Sequence, residues 1–312
     1  MWVKKHLISM GDLSVNEITK ILDTAKMFSV SDQSKIKTYD TLKGKTVVNL
    51  FYEASTRTRT SFEIAAKRLS ADTVNFSAES SSVGKGETLL DTVRNIEAMY
   101  PSIIVVRHPL AGTPLLLSKR VRVNVVNAGD GPHEHPSQAL LDMMMIRDVK
   151  KDFKDLEIAI IGDIAHSRVA RSNIIGLKKM GANVRVSGPP TLVPKVIEKL
   201  GVKVEYDMNK VLKGCDVIMM LRLQLERQSQ KLFPSKREYA RFFGLNAERL
   251  KLAKPDAIIM HPGPMNRGVE ISSEVADSSR SKILGQVSNG VAVRMAILHL
   301  LAGGGQLYEN SH

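Results

Sequence analysis

The sequence predicts an α/β protein of two domains, each a parallel β-sheet flanked by helices. Three observations carry that reading. Short apolar, β-branched runs alternate with longer stretches of helical periodicity along the chain. Polar and turn-forming residues collect just after the apolar runs, where loops over the C-terminal edge of a parallel sheet would lie. A charged, polar stretch, Lys150–Asp155, breaks the alternation near mid-chain, after which it restarts. The boundary is placed there, giving domains over 1–150 and 151–288, and 312 residues suffice for two cores. Two such domains would leave a cleft between their strand C-terminal edges.

Taken in order, Asp12 or Ser14 caps a first helix with Leu13, Ile18, Ile21, Leu22 and Ala25 as its apolar face. Ser31–Tyr39 is a polar connector. Thr46–Leu50 reads as a buried strand. Phe62, Ala65, Ala66 and Leu69 then recur at i, i+3, i+4 and i+7, the stripe of an amphipathic helix. Asp72–Phe76 is a second strand, Ser77–Gly86 a Ser/Gly-rich loop and Glu87–Met99 helical. Ile103–Val106 is a third strand, ending at Arg107-His108-Pro109. Val123–Val126 is a fourth, followed by the Gly/Pro/His loop Ala128–Pro136 and a Met- and Leu-rich helix, Ser137–Val149. In the second half Glu157–Ile161, Asn183–Val186, Val202–Glu205, Asp216–Leu221 and Ala257–Met260 read as strands. The loop Gly162–Ser167 leads into a helix over Arg168–Met180. Ser288 or Asn289 starts a last amphipathic helix to Leu301, and Gly303–His312 is read as a frayed tail.

Composition narrows the function. Hydrophobic residues make up 43% and charged residues 25%, as in ordinary globular enzymes. The formal charge of +13 suits anionic partners, either nucleic acid or small acidic metabolites. Against nucleic acid, the basic residues form no clustered arm and aromatics are only 5%. The single cysteine, Cys215, excludes an intrachain disulfide and a cysteine-based zinc site, and fits a reducing compartment. The N-terminus lacks the apolar core of a signal peptide, and no run approaches a membrane span, so a soluble, cytoplasmic protein is expected.

The unusual residues sit in the strand-end loops. Ser55–Thr58 lies on the first strand-to-helix turn, where free helix amides carry the positive end of the dipole. Its hydroxyls and the guanidiniums of Arg57 and Arg59 make a cradle for a phosphate or oxyanion. Ser81 and Lys85 lie in the 77–86 loop, Arg107 after the third strand, and His135 with Gln138 after the fourth. Arg168 follows the first strand of the second half. Arg222 with Gln224, and His261-Pro262-Gly263-Pro264, follow the last two. His133-Glu134-His135 is poor evidence for a metal, and Gly162 lacks the glycine spacing of a dinucleotide site.

Ser55-Thr56-Arg57-Thr58-Arg59, set among Phe51, Glu53, Ser61, Phe62 and Glu63, resembles the carbamoyl-phosphate signature of the transcarbamoylases. Arg107-His108-Pro109 and His135-Pro136-Ser137-Gln138 match further motifs of that family in the same order and spacing. The resemblance covers nearly the whole chain. In the second half, Leu221–Arg227 resembles the Arg-x-Gln-x-Glu-Arg of the family's aspartate-specific members, as does the loop Ser81–Thr88. The His-Cys-Leu-Pro of the ornithine-specific members is replaced by His261-Pro262-Gly263-Pro264, without sulfur. The charges agree: aspartate brings two carboxylates, which Arg168, Arg222 and Lys85 would hold, whereas ornithine would need an acidic pocket.

The resemblance implies the transcarbamoylase fold, with a C-terminal helix, 289–301, folded back on the first domain. It implies carbamoyl transfer from carbamoyl phosphate to L-aspartate, a step of pyrimidine biosynthesis, with no metal or organic cofactor. Ser55, Thr56, Arg57, Thr58 and Ser81 would hold the phosphate. Arg107, His135 and Thr58 would meet the carbonyl oxygen and Gln138 the carbamoyl amide. Lys85, Arg168, Arg222 and Gln224 would bind aspartate, with Pro262, Gly263 and Pro264 near its amine and Gly263–Pro264 a candidate cis peptide. It further implies a homotrimer whose 77–86 loop reaches a neighbouring site. Family members also form larger complexes with regulatory chains or a neighbouring pathway enzyme such as dihydroorotase, of which this sequence carries no direct sign. Carbamoyl transfer to ornithine is the alternative within the family, and a basic nucleic-acid-binding protein the alternative outside it.

Overall fold

A computed structural model describes residues 2–30, 36–77, 87–223 and 235–303. The chain forms two compact units, Met1–Leu140 with Ser288–His312, and Leu141–Val287. The first contains α1 (Val15–Met27), β1 (Thr46–Phe51), α2 (Thr56–Arg68), β2 (Asp72–Ser77), α3 (Leu89–Glu97), β3 (Ile103–His108), α4 (Thr113–Ser118) and β4 (Asn124–Asp130). Then α5 (Pro136–Lys150) runs on into the second unit. That unit holds β5 (Glu157–Ile161), α6 (Arg168–Lys179), β6 (Asn183–Ser187), β7 (Lys203–Val204), α7 (Met208–Leu212) and β8 (Val217–Met220). It continues with α8 (Lys236–Phe243), α9 (Ala247–Leu250), β9 (Ile258–Met260) and α10 (Ser273–Ala276). Finally α11 (Ile283–Leu301) carries the chain back to the first unit.

Among the described residues both sheets are parallel throughout. Their strand orders are β2-β1-β3-β4 and β7-β6-β5-β8-β9. Helices cover both faces of such sheets, so central strands are apolar in succession rather than alternately. In β3 every residue from Ile103 to Arg107 is buried. Val48, Leu50, Ile104, Val106 and Val125 pack on one face with Val93, Ile96 and Leu117. In the second unit Ala159, Ile161, Ile218, Met220 and Ile259 pack with Val211, Leu212, Leu250 and Val275. Each fully buried aliphatic side chain of this size contributes about 1.5–3 kcal/mol.

The first helix is capped by Ser14, not Asp12. Ser14 accepts from the Glu17 amide, and Glu17 accepts from the Ser14 amide in return. Four features differ from the sequence reading. α4 was not anticipated; six residues are too few to show a period, and Gly112, at φ 80°, turns the chain into it. β7 pairs over only two residues. α11 starts at Ile283, upstream of Ser288 and Asn289, which look like caps yet lie inside the helix. The compact units divide inside α5, at Leu140, rather than in the charged stretch beyond it.

α11 is also long and apolar enough to cross a bilayer by length and composition, which corrects the expectation that no segment comes close. With 72% of its most apolar window buried, it is a core helix. Its C-terminal part packs on the first unit. Arg294 lies over the Phe62 ring, 5.1 Å from its centre, and donates to Ser61 Oγ at 2.9 Å. Leu301 O accepts from Asn124 Nδ2 at 2.8 Å, and Ala302 O accepts from Lys45 Nζ.

Candidate active site

Strand order places the first set of loops. In the first unit β1 leads through α2 outward to β2, and β3 leads through α4 outward to β4 on the other side. The connections leave neighbouring strands in opposite directions, which opens a crevice beyond the C-terminal ends of β1 and β3. Ser55 is the N-cap of α2, with extended backbone, and its side chain makes no capping bond. Thr56 and Arg57 are exposed, and Thr58 turns inward at 7% exposure. Ser55–Thr58 and the first turn of α2 therefore lie at the β1 side of the crevice.

Arg107 lies at the end of the opposing strand, 8% exposed. The Tyr52 amide donates to Arg107 O at 2.8 Å, so the two strand ends stay paired past β1. The β3–β4 register slips between Val106 and His108, a bulge opposite Arg107. Its guanidinium donates to Ala128 O at 3.3 Å and to Glu53 Oε1 at 2.6 Å. A buried guanidinium needs such partners. They fix its direction before any ligand arrives. His108 accepts the Leu110 amide on Nδ1 at 3.0 Å, and burial holds its pKa below the ordinary histidine value.

His135, 4% exposed, precedes α5, and its carbonyl caps the helix by accepting from the amides of Gln138 and Ala139. Ser137 Oγ is 3.4 Å from its Nδ1, and Gln138 is half-buried in the first turn. Two buried carboxylates brace this loop. Asp130 accepts from Asn127 Nδ2, the Gly112 amide and the Glu134 amide. Glu134 accepts from the Met10 amide at 2.9 Å and from Ser9 Oγ. Sequence reading missed both; the Gly-Asp-Gly before the histidines was the available signal. Of His133-Glu134-His135, Glu134 is thus occupied in bracing, and His133 Nδ1 lies 3.0 Å from Asp130.

In the second unit β5 leads outward to β6, and β8 outward to β9 on the other side, so a crevice opens beyond β5 and β8. Gly162, at φ 141°, is required there: a Cβ would lie 2.9 Å from Leu221 Cβ and 3.0 Å from its carbonyl oxygen. Arg168 is the first residue of α6, 4% exposed, behind the N-cap Ser167. Arg222 is half-buried just after β8. After β9 the His261 imidazole accepts the Gly263 amide on Nδ1 at 2.9 Å, and the Gly263–Pro264 bond is cis, as the sequence suggested. Pro262 and Gly263 are half-buried and Pro264 is exposed.

The first unit thus collects Ser55, Thr56, Arg57, Thr58, Arg107, His135 and Gln138 at the ends of β1, β3 and β4. The second collects Arg168, Arg222, Pro262, Gly263 and Pro264 at the ends of β5, β8 and β9. Ser81, Lys85 and Gln224 lie outside the described residues. Family models match both halves: "Aspartate/ornithine carbamoyltransferase, carbamoyl-P binding domain" over residues 5–148, and "Asp/Orn binding domain" over 154–301. The chain belongs to the aspartate/ornithine carbamoyltransferase family.

Within that family, it is 60% identical over 302 residues to the aspartate carbamoyltransferase catalytic subunit of Syntrophus aciditrophicus, covering 97% of this chain and 98% of that one. It is 61% identical over 301 residues to that of Geobacter sulfurreducens, covering 96% and 97%. Among solved structures, Trypanosoma cruzi aspartate transcarbamoylase in complex with carbamoyl phosphate and aspartate is similar at TM-score 0.84 and 31% identity, covering 95% and 96%. The ornithine carbamoyltransferase from Pyrococcus furiosus is equally similar, at TM-score 0.84 and 32% identity, covering 97% and 98%. Backbone likeness therefore does not separate the family's two substrate branches, while identity near 60% points to one.

Proposed function

We infer that the chain transfers the carbamoyl group of carbamoyl phosphate to the amino group of L-aspartate, giving N-carbamoyl-L-aspartate and phosphate. The observation that carries this is its 60% identity, over almost its full length, to an aspartate carbamoyltransferase catalytic subunit. Charge supports the choice of acceptor. Arg168 and Arg222 stand at the second unit's crevice and suit a dianion. Among the described residues, two carboxylates of the second unit are already engaged. Asp163, fully buried, accepts from His166, and Glu270, fully buried, accepts from Asn266. Neither is left to bind the ammonium of ornithine.

In the chemistry we propose, the phosphate sits on the first amides of α2 and the hydroxyls of Ser55, Thr56 and Thr58, with Arg57 against its charge. Arg107, aimed by Glu53, bridges the phosphate and the carbonyl oxygen. His135 and Thr58 donate to that oxygen as negative charge grows on it, an oxyanion-hole role. Gln138 holds the carbamoyl amide group. The carboxylates of aspartate pair with Arg168 and Arg222, with Lys85 and Gln224 completing the set. Carbonyls near Pro262, Gly263 and Pro264 orient its neutral amine. The amine attacks the carbonyl carbon, the C–O bond to phosphate breaks, and phosphate takes the amine proton as it leaves. Most of the rate enhancement comes from positioning two anions that repel each other in water. The chemistry asks for no metal or organic cofactor.

Supplying aspartate and ornithine separately with carbamoyl phosphate, and measuring the ureido product, tests the assignment. Product is expected from aspartate alone. Product from ornithine only would transfer the reading to the other branch.

We further propose that the chain works in the cytoplasm as a homotrimer, with Ser81 and Lys85 supplied by a neighbouring copy. Exposed Leu110, Leu115 and Leu116, on and before α4, suit a subunit contact. Mixing inactive Lys85→Ala and Arg57→Ala subunits is expected to restore some activity, because one class of mixed site contains neither substitution. No recovery on mixing would argue for self-contained sites.

A further inference from the structure

Two helices carry the chain between the units, and each does so next to a buried amide or carboxylate. Asp142 lies on α5 just past the division at Leu140, and Gln286 on α11 just before that at Val287. Both belong to the second unit, at 0% and 2% exposure. Gln286 Nε2 donates to Asp142 Oδ1 at 2.7 Å, and Asn173 Nδ2, from α6, donates to Asp142 Oδ2 at 2.8 Å. Gln286 Oε1 accepts the His261 amide at 2.9 Å. The helices run close here: a Cβ on Gly285 would lie 2.7 Å from Met145 Sδ.

Donor and acceptor logic fixes this chain of bonds in one direction. The His261 amide can only donate, so it takes the amide oxygen of Gln286. The Gln286 nitrogen is left facing Asp142, whose carboxylate accepts from both sides. One buried carboxylate thereby ties together α6, whose first residue is Arg168, and the backbone entering Pro262 and Gly263. Gly263 is tied once more by the His261 ring.

We propose that Asp142 and Gln286 are positioning residues for the acceptor amino acid: they touch no substrate but hold the His261–Pro264 turn in register with the Arg168 end of α6. The inference rests on the aspartate assignment above and predicts a defect confined to aspartate. A buried bond to a charged partner is worth enough that Gln286→Glu, which sets two carboxylates face to face, should raise the KM for aspartate about tenfold or more at pH ~8. Carbamoyl phosphate binding should stay unchanged.

The decisive variant is the exchange Asp142→Asn with Gln286→Glu. The nitrogen of the introduced asparagine then donates to the introduced carboxylate. That carboxylate still accepts the His261 amide, and the asparagine oxygen still accepts from Asn173. Each of the three bonds named above is restored with the direction of one reversed, and total charge is kept. The exchange should return the aspartate KM to within about threefold of the parent and recover most of the lost melting temperature, since the coupling between contacting groups is strong.

The inference is overturned if Gln286→Glu leaves the aspartate KM unchanged, if it weakens carbamoyl phosphate binding equally, or if the exchange melts like the parent without restoring the aspartate KM. Parent protein assayed alongside separates the two readings. If it does not use aspartate, the acceptor assignment fails. The melting temperatures of the parent, the two single variants and the exchange then still report whether Asp142 and Gln286 are coupled, and no coupling overturns the bond network itself.

Discussion

Arg57→Ala is expected to lower kcat by about a thousandfold with little change in melting temperature. Arg57 is the second residue of α2 and exposed, while the buried face of that helix is made by Thr58, Phe62, Ala65 and Ala66. Its side chain therefore adds little to packing, and its removal should not disturb the fold. What is lost is a cation beside a leaving group that gains charge as the C–O bond breaks, and such a contact is strongest in the transition state. Steady-state rates of ureido-aspartate formation, with carbamoyl phosphate affinity measured separately, would divide the effect between turnover and binding. Turnover within about tenfold of the parent would remove Arg57 from transition-state stabilisation.

The elements that position this residue were legible for a physical reason. A parallel strand covered on both faces must be apolar in succession, so Thr46–Leu50, Ile103–Val106 and Glu157–Ile161 stood out, and β1, β3 and β5 include them. The polar residues after those strands were legible because nothing in packing calls for Ser-Thr-Arg-Thr or Arg-His-Pro at a strand end. Short elements were not. α4 has fewer than two turns, and β7 is defined by its register with Arg185 and Val186 rather than by any pattern of its own. α11 began early because burial of Ile283 outweighs the local capping tendency of Ser288 and Asn289.

Long-range braces could not be read at all. Glu134 meets Ser9 across 125 residues, and Gln286 meets Asp142 across 144. A single sequence shows a buried polar residue only as an odd letter in an apolar stretch and is silent about its partner. The candidate site residues were thus readable, while buried braces such as Glu134 and Asp142 were not. The first group is defined by chemistry at a loop, the second by three-dimensional proximity.

Arg107 joins both groups, and its replacement should cost more than the loss of its own contacts. In Arg107→Ala the Glu53 carboxylate, 24% exposed at its side chain, remains at the crevice with its 2.6 Å partner gone. It would then face the anion it formerly helped to bind. Truncating one member of a close charge pair typically costs about 2–5 kcal/mol, so kcat/KM for carbamoyl phosphate is expected to fall by about 10³-fold. Glu53→Gln alone should do far less, because the guanidinium keeps its charge and its bond to Ala128 O. Combining the two substitutions removes the Glu53 charge left beside the anion and should recover about tenfold of the loss, a non-additive result that a merely additive pair cannot give. Carbamoyl phosphate titrations of the parent, both single variants and the double variant would measure it. If the double variant binds no better than Arg107→Ala, Glu53 does not act through Arg107, and the aiming role assigned to it is wrong.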